Sequence, residues 1–314
     1  MLSRREFLSA AAMAAPVVGG SALAWHRADQ LADAAPRARY WVSANAPGAD
    51  CRACHDTVPS KPSHTHNPTL LKCLLCAQGC VLRAGQRGRC RARLNVKGEL
   101  RTLVYGRPIA THVDPIEKKP LYHFLPGSAA YSLATAGCPL SCKFCQNWEL
   151  SQASPEDYDV PYAAPAAVAS AAASRQAPVI AFTYNEPTVF TEYLLDIAAE
   201  ARTRNIRSVM ISCGFMNQAP LADMCRALDA IKIDLKGYSE SFYRDVCGAA
   251  LAPVLRSIAQ IAKSGAHLEI VNLVVPTLND SETALGELAA WAAGEAGPDV
   301  PVHWTRSTST FVKA

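Results

Sequence analysis

Short apolar segments alternate with longer segments of helical period from about residue 130 to residue 305, and this alternation limits the fold more than any other feature of the chain. The apolar segments are nearly continuous, as in strands that are buried on both faces of a sheet. Strands joined by helices pair in parallel, because each helix returns the chain to the same end of the sheet. The pattern therefore predicts an α/β fold, either an open doubly wound sheet or a barrel, with strands at 131–137, 178–184, 207–212, 230–236, 267–275 and 301–305.

Composition and charge argue against a nucleic-acid partner and against a membrane span. The chain has 314 residues, of which half are apolar and 18% are charged, so it is long enough for one large domain and a smaller one. A formal net charge of +4 without a long run of lysine or arginine gives no electrostatic site for nucleic acid. No segment after residue 25 has the apolar length of a transmembrane helix. We therefore expect no nucleic-acid partner, and no stable membrane span once the N-terminal segment is removed.

Residues 1–24 are typical of a twin-arginine signal peptide. Arg4 and Arg5 precede a weakly apolar, alanine-rich stretch that ends in the A-x-A sequence Ala22-Leu23-Ala24. This interpretation predicts export to the periplasm, and a cytoplasmic location where the signal is not used. The alternative interpretation is a basic amphipathic helix at the N terminus.

An irregular linker is predicted for residues 25–69, which are rich in alanine, proline and histidine and lack periodicity. Within it, Cys51, Cys54 and His55 form the C-x2-C-H motif of covalent c-type haem attachment. Two alternatives remain open. The cysteines could bind another metal, such as zinc together with a later histidine, or they could carry no cofactor and form a disulfide.

The region 70–125 contains a second group of cysteines, separated by short β-rich pieces and glycine-containing turns. Four thiolates complete the ligand shell of a zinc ion or of an auxiliary iron–sulfur cluster, and the spacing does not choose between them. Two disulfides are the alternative, which export would favour. The region is therefore predicted to be a small Cys-rich metal-binding module that packs against the larger domain, with the ligands Cys73, Cys76, Cys80 and Cys90.

A third group, Cys138, Cys142 and Cys145, directly follows the first predicted strand. The carboxyl ends of parallel strands carry the functional site in both candidate folds. Three thiolates can bind three irons of a [4Fe-4S] cluster and leave the fourth iron open to another ligand. A structural metal site, the alternative, would need a distant fourth cysteine or histidine. The scattered remaining cysteines are interpreted as small buried apolar residues, namely Cys213, Cys225 and Cys247.

With Phe144 before its last cysteine, this array resembles the CxxxCxΦC loop of the radical SAM superfamily, in which Φ is aromatic. The resemblance covers residues 70–306. It implies a partial (β/α)6 barrel over residues 126–314, with one [4Fe-4S] cluster and one S-adenosylmethionine at its mouth. Four segments resemble the branch that contains pyruvate formate-lyase activating enzyme, and within it the AmmeMemoRadiSam system radical SAM enzymes: 112–152, 181–190, 231–237 and 272–282.

The resemblance implies an enzyme that reductively cleaves S-adenosylmethionine to a 5′-deoxyadenosyl radical, which abstracts hydrogen from a substrate, and it implies an electron donor for the cluster. Activation of a protein by a glycyl radical rests on analogy within the branch. The sequence does not show whether the substrate is a protein or a small molecule, and it identifies no further catalytic residue. An exported multi-metal electron-transfer or metal-binding protein with a non-catalytic barrel is the alternative from another class.

Five residues at strand ends are expected to bind S-adenosylmethionine. Asn185 and Glu186 occupy the place of the superfamily's Gly-Gly-Glu motif, where Glu186 would accept hydrogen bonds from the methionine ammonium. Ser212 could donate to the ribose or to the carboxylate. Asp234 and Lys236 share one face because strand side chains alternate, so that Lys236 would neutralise the carboxylate and Asp234 would hold Lys236 or contact the ribose. A helix start at 185–187 and an ion pair at the barrel rim are the corresponding structural interpretations.

Two departures from the family concern the end of the chain. Thr277 stands where the family often has glycine. The chain ends shortly after the sixth predicted strand, whereas the family usually continues with a further helix and tail. We therefore expect a shortened C terminus, with the last strand lacking its covering helix.

Overall fold

A computed structural model describes residues 31–43 and 69–307 of the chain. The predicted signal peptide, the C-x2-C-H motif with Cys51, Cys54 and His55, and residues 308–314 lie outside these described residues. Export and haem attachment therefore stay predictions.

The N-terminal region forms two small antiparallel sheets. The turn of the second sheet is Lys97-Gly98, and both residues have positive φ, as a two-residue hairpin turn requires. Leu71, Leu75 and Leu100 are at most 2% exposed and lie in the core of this region. The first sheet contains β1 (Trp41–Ser43), β2 (Leu71–Cys73) and β3 (Val81–Leu82), and the second contains β4 (Arg93–Val96) and β5 (Glu99–Thr102).

A seven-stranded sheet forms the body of the molecule, with its strands in chain order from one edge to the other. The last six strands are parallel, and each overlaps one of the predicted strands, so the prediction of a parallel α/β sheet is confirmed. The first strand is antiparallel to its neighbour and begins the sheet upstream of residue 126. The strands are β6 (Ala110–Pro115), β7 (Ala129–Ala134), β8 (Val179–Phe182), β9 (Arg207–Ser212), β10 (Ala230–Asp234), β11 (His267–Val274) and β12 (Val302–Arg306).

Helices connect the parallel strands. Short 3-10 turns lie at Ile116–Lys118, Pro155–Asp157 and Pro187–Phe190, and π-helical turns lie at Tyr243–Cys247 and Ala292–Ala296. The α-helices are α1 (Trp148–Ser151), α2 (Pro165–Ser174), α3 (Thr191–Arg202), α4 (Gln218–Ala227), α5 (Glu240–Phe242), α6 (Leu251–Ala262) and α7 (Glu282–Trp291).

The two faces of the large sheet are covered differently. Along β8, Ile180 and Phe182 join the core that contains the buried side chains of the helices, whereas Val179 and Ala181 join a separate core with Ile116. Strand side chains alternate between faces, so the helices cover one face and the segment after β6 covers the other. This arrangement is that of a barrel rather than of a doubly wound sheet. Because β6 and β12 lie at the two edges, the barrel is partial.

Within the described ranges, no single helix has the length and apolar character needed to cross a membrane. One pair, Glu240–Cys247 with Leu251–Ala262, meets the length and composition criteria together but is bent by 109°.

Candidate cofactor site

A cavity of about 420 Å³ lies at the carboxyl ends of the parallel strands. The cysteine loop after β7 forms one side, residues at the ends of β8, β9 and β10 form another, and Lys118, Lys119 and Pro120 after β6 also line the cavity. The structure brings together at this cavity all the residues predicted to bind the [4Fe-4S] cluster or S-adenosylmethionine: Cys138, Cys142, Cys145, Asn185, Glu186, Ser212, Asp234 and Lys236. Their ligand roles stay predictions.

Backbone contacts hold the cysteine loop in place. The amide N–H groups of Ser141 and Lys143 each donate to a carbonyl of the π-helical turn Tyr243–Cys247, at 3.0 Å. Gly137, which begins the loop, has a φ of 95°, and a Cβ atom there would lie 2.1 Å from the carbonyl oxygen of Cys90. Only glycine fits this position, because it lacks the Cβ atom that would collide. The loop is therefore fixed against both the barrel and the N-terminal region.

The three thiols of the loop differ in their surroundings. Burial raises the pKa of Cys138 well above its usual value, and the charge of Glu186 raises it further. The pKa of Cys142 is lowered by a hydrogen bond from Cys247, with a further contribution from the Lys236 ammonium. A thiolate at Cys138 consequently requires a nearby positive charge, which a bound metal centre would supply.

Two cysteines that the sequence analysis interpreted as buried apolar residues adjoin this site. Cys213 and Cys247 are indeed buried, at 6% and 0% exposure. Cys213 also lines the cavity, and Cys247 hydrogen-bonds Cys142. The position of Cys213 directly after Ser212, at the end of a strand, was the sequence signal for its place in the site.

Glu186 is held rigidly beside the cysteine loop. Its Oε1 atom accepts hydrogen bonds from the backbone and hydroxyl of Thr188, at 3.1 and 2.5 Å, and from Ser212 Oγ at 2.7 Å. Its Oε2 atom accepts a hydrogen bond from the amide of Cys213 at 2.7 Å, and the Cys213 thiol also hydrogen-bonds this carboxylate. A donor on a ligand at Glu186 would therefore take the place of the Cys213 thiol. Ser212 gives its one hydroxyl proton to Glu186, so in this arrangement it positions the carboxylate rather than donating to a ligand.

Asn185 lines the cavity and carries a side-chain acceptor without a partner among the described residues. Its Nδ2 atom donates to the carbonyl of Gly137 at 2.8 Å and to Thr135 Oγ1 at 3.3 Å. Its Oδ1 atom is buried and has no hydrogen-bond partner among the described residues. Buried polar atoms are almost always paired, so this oxygen fits a hydrogen-bond donor on a bound molecule.

A row of alternating charges follows β10 into the cavity. Asp234 pairs with Lys232 and, at 3.6 Å, with Lys236. Burial alone would raise the pKa of Asp234, but the two ammonium groups hold it below its usual value. Lys236 Nζ also lies 5.8 Å from the ring centre of Phe144. Two cations around one carboxylate leave a positive charge, which suits the carboxylate of an amino-acid ligand. Sequence reasoning missed Lys232, although the period of two places it on the same face.

The four cysteines of the N-terminal region form a second site. The pKa values of Cys73, Cys76 and Cys90 are raised, first by burial and then by the charges of neighbouring thiols of the same group, which include Cys80. The amide of Cys73 donates to the carbonyl of Cys80 at 2.9 Å. The two cysteine sites also adjoin each other, because Cys90 packs against Gly137.

Several known proteins are similar to this chain over part of its length. The family model of the Radical SAM superfamily matches residues 132–288. An uncharacterized protein of Methanocaldococcus jannaschii is 37% identical over 236 residues, which are 75% of this chain and 70% of that protein. The benzylsuccinate synthase activating enzyme of Thauera aromatica is 26% identical over 107 residues, or 34% of this chain and 32% of that enzyme. The crystal structure of a domain of the pyruvate-formate lyase-activating enzyme from Bacteroides vulgatus covers 39% of this chain and 76% of its own, with 18% identity and a TM-score of 0.36.

Proposed function

Because the chain belongs to the radical SAM superfamily, we propose that it cleaves S-adenosylmethionine in the cavity at the strand ends and uses the resulting radical to abstract hydrogen from a substrate. The observation that carries the proposal is the convergence on one cavity of three thiols, an asparagine with a buried unpaired oxygen and a rigidly held carboxylate. The thiols suit a cluster with an open iron, and the oxygen acceptors suit the amino-acid part of S-adenosylmethionine.

The residues of the chain divide the binding between them. Cys138, Cys142 and Cys145 would hold three irons of a [4Fe-4S] cluster and leave the fourth for the amino and carboxylate groups of S-adenosylmethionine. Asn185 Oδ1 and Glu186 Oε2 would accept hydrogen bonds from the methionine ammonium. When bound, the reduced cluster and S-adenosylmethionine supply the 5′-deoxyadenosyl radical.

The positions of the charged side chains support the proposed contact with the methionine carboxylate. Lys236 Nζ lies 3.6 Å from Asp234 and 5.8 Å from the ring centre of Phe144. Lys232 is 3% exposed and also pairs with Asp234. Lys236 would therefore neutralise the methionine carboxylate, and Asp234 would fix Lys236 for that contact.

The proposed substrate class rests on analogy with a named relative. Its name describes an enzyme that activates benzylsuccinate synthase, another protein. By analogy, the proposed substrate here is a protein that receives a glycyl radical, with an external electron donor for the cluster. The match covers about a third of each chain, so this part of the proposal needs its own test. Glycyl-radical formation in a candidate protein would be detected by electron paramagnetic resonance after incubation with the reduced enzyme and S-adenosylmethionine.

The central test is anaerobic reconstitution with iron and sulfide, followed by dithionite and S-adenosylmethionine. We expect 5′-deoxyadenosine from the unchanged protein and none from Cys142→Ala. Cys225→Ala is the matched control, because Cys225 lies on α4 outside both cysteine sites, and it should keep the activity. Product formation by Cys142→Ala at the level of the control would remove the assigned ligand set.

The second cysteine site is proposed to hold a metal group, either an auxiliary iron–sulfur cluster or a zinc ion. Four thiolates complete the ligand shell of either group, so the metal content decides between them. Iron and zinc contents of the reconstituted protein test this: Cys76→Ser should lose roughly four irons per chain, whereas loss of one zinc ion would identify a zinc site.

A further inference from the structure

Three imidazoles surround a buried carboxylate on the inner face of the large sheet, towards the amino ends of β11 and β12. Glu269 is fully buried, with 0% exposure. The ligand atoms of His123, Glu269 and His303 all lie within 4.8 Å of one another. None of these three residues lines the cofactor cavity, although Lys232, which does, is the register partner of Glu269. The cluster is therefore a second polar layer on the same sheet face, outside the function proposed above.

The backbone fixes the carboxylate in this layer. The amide of His123 donates to Glu269 Oε1 at 2.9 Å, and the amide of Tyr122 donates to Oε2 at 3.0 Å. His267 Nε2 lies 3.0 Å from Oε1, and His303 Nε2 lies 2.6 Å from Oε2. The carboxylate thus joins β11, β12 and the segment after β6. Its position does not depend on the exposed ring of His123.

The ring of His123 has no role in this hydrogen-bond network. Its ring nitrogens have no hydrogen-bond partner among residues 31–43 and 69–307, and the ring stacks on His303 with centroids 5.6 Å apart. A structural carboxylate anchor needs only the backbone donors and the two hydrogen-bonded histidines. A third imidazole that brings a free nitrogen to the same carboxylate adds what an anchor lacks, namely a second nitrogen ligand.

Two histidines and one carboxylate form a known metal-binding set. The same set binds zinc with one position left open, and it binds non-haem iron. A cavity of about 320 Å³ lies on the His123 side of the cluster; His123, His267 and Asp299 are among its lining residues, and Glu269 and His303 are not. The bond of His267 to the other carboxylate oxygen is the kind of outer contact that orients a metal ligand.

We propose that His123, Glu269 and His303 bind one divalent transition-metal ion of the zinc class, with His267 holding the carboxylate from behind. The ion replaces the hydrogen bond between His303 and Glu269. With bonds of about 2.0 Å in a tetrahedral site, these two ligand atoms separate from 2.6 Å to about 3.3 Å. Bound there, the ion clamps the segment after β6, whose Lys118 and Lys119 line the cofactor cavity.

Cobalt(II) titration of the metal-free protein under anaerobic conditions tests the proposal. The thiol sites give sulfur-to-cobalt charge-transfer bands, whereas a site of nitrogen and oxygen ligands gives only weak d–d bands. We expect His123→Ala to weaken the binding of one cobalt ion by about tenfold or more. The difference between the spectra of the unchanged protein and of this variant should lack thiolate bands. His112→Ala is the control, since His112 lies on β6 outside the cluster. This variant should bind as many cobalt ions as the unchanged protein.

A second variant helps to distinguish the loss of a metal ligand from a folding defect. His303→Ala removes a buried contact, and circular dichroism would report any loss of structure, whereas His123→Ala removes an exposed ring only. The proposal fails if both variants bind as much cobalt as the unchanged protein, with the same affinity. It also fails if the difference spectrum contains thiolate charge-transfer bands, because the lost ion would then belong to a cysteine site.

Discussion

Arg93 and Glu192 form a two-armed ion pair, with the guanidinium nitrogens 2.9 and 2.6 Å from the two carboxylate oxygens. Arg93 lies on β4 of the N-terminal region, and Glu192 lies on α3 of the barrel. Their side chains are 1% and 6% exposed, and the amide of Arg39 also donates to Glu192 at 2.7 Å. This buried pair fixes the N-terminal cysteine site against the barrel and therefore against the cofactor cavity.

Removal of one partner of this pair should destabilise the protein strongly. Glu192→Ala leaves the Arg93 charge buried without a partner, which costs about 3–5 kcal/mol of unfolding free energy. The double variant Arg93→Met/Glu192→Leu replaces both charges by apolar groups and should recover most of the loss. Urea unfolding measures both. Arg244→Ala is the control, because the pair of Arg244 with Asp245 is exposed and should contribute nothing measurable. Equal stability of Glu192→Ala and the control would contradict the assignment.

The contact of Gly137 with Cys90 predicts a separate defect. In Gly137→Ala, the new methyl group would lie 2.1 Å from the carbonyl oxygen of Cys90, so the cysteine loop and the N-terminal region must move apart. We expect a loss of about 1–3 kcal/mol or more from the strain and a reduced iron content after reconstitution. Gly127→Ala is the matched control: its φ of 79° is also left-handed, but nothing lies within 4 Å of the added atom. If both variants behaved alike, backbone strain rather than the contact would be the cause.

The sequence predicted the six parallel strands because their apolar character is nearly continuous. It did not predict β6, whose residues ATHVDP are half-exposed or exposed, so no apolar pattern marks the strand. It also left open whether helices cover one face or both. That choice depends on the segment after β6, where Ile116 and Leu121 pack on the inner face, and two apolar residues in an irregular segment carry no periodic signal.

Thr277 should be replaceable by glycine with a gain in stability. Its φ of 69° is left-handed, a conformation that costs a residue with a Cβ atom roughly 1–2 kcal/mol and is rare for β-branched residues. Glycine loses part of this gain through its greater freedom in the unfolded chain, so Thr277→Gly should stabilise by roughly 0.5–1 kcal/mol. Thermal unfolding measures the change. Thr305→Gly, within β12, should instead destabilise, and a loss of stability in both variants would contradict the argument.

The site residues were partly predictable for a simple geometric reason. Parallel strands end at one edge of the sheet, so residues that follow them, such as Glu186 and Ser212, meet there. The pairing of Arg93 with Glu192 was not predictable, because 99 residues separate them and neither belongs to a motif. The polar layer around Glu269 was also missed, since His267 and Glu269 lie within an apolar strand pattern and their partners come from other segments.

Asn185 should contribute to the affinity for S-adenosylmethionine. Asn185→Ala removes the buried, unpaired Oδ1 acceptor of a residue that lines the cavity. Loss of one hydrogen bond to a charged donor costs about 1.5–3 kcal/mol, or roughly 10-fold to 100-fold in affinity. Equilibrium binding to the reconstituted protein measures the effect. Asn272→Ala is the control: Asn272 Oδ1 is also buried and unpaired among the described residues, but the residue lies outside the cavity. Equal affinities of the two variants would assign Asn185 a purely structural role.

Asp114 predicts a dependence of stability on pH. Hydrogen bonds from Lys118, and then from Lys119 and Tyr184, hold its pKa far below the usual value in spite of the opposing effect of burial. A carboxyl group whose pKa is lowered on folding stabilises the folded state fully above its unfolded pKa of about 3.9, and this contribution is lost as the pH falls further. Urea unfolding of the unchanged protein and of Asp114→Asn should therefore differ most at neutral pH, and the difference should shrink below about pH 4. A difference that stayed constant from pH 7 to pH 3, or that grew on acidification, would show that Asp114 is not held as an ionised group by these three donors.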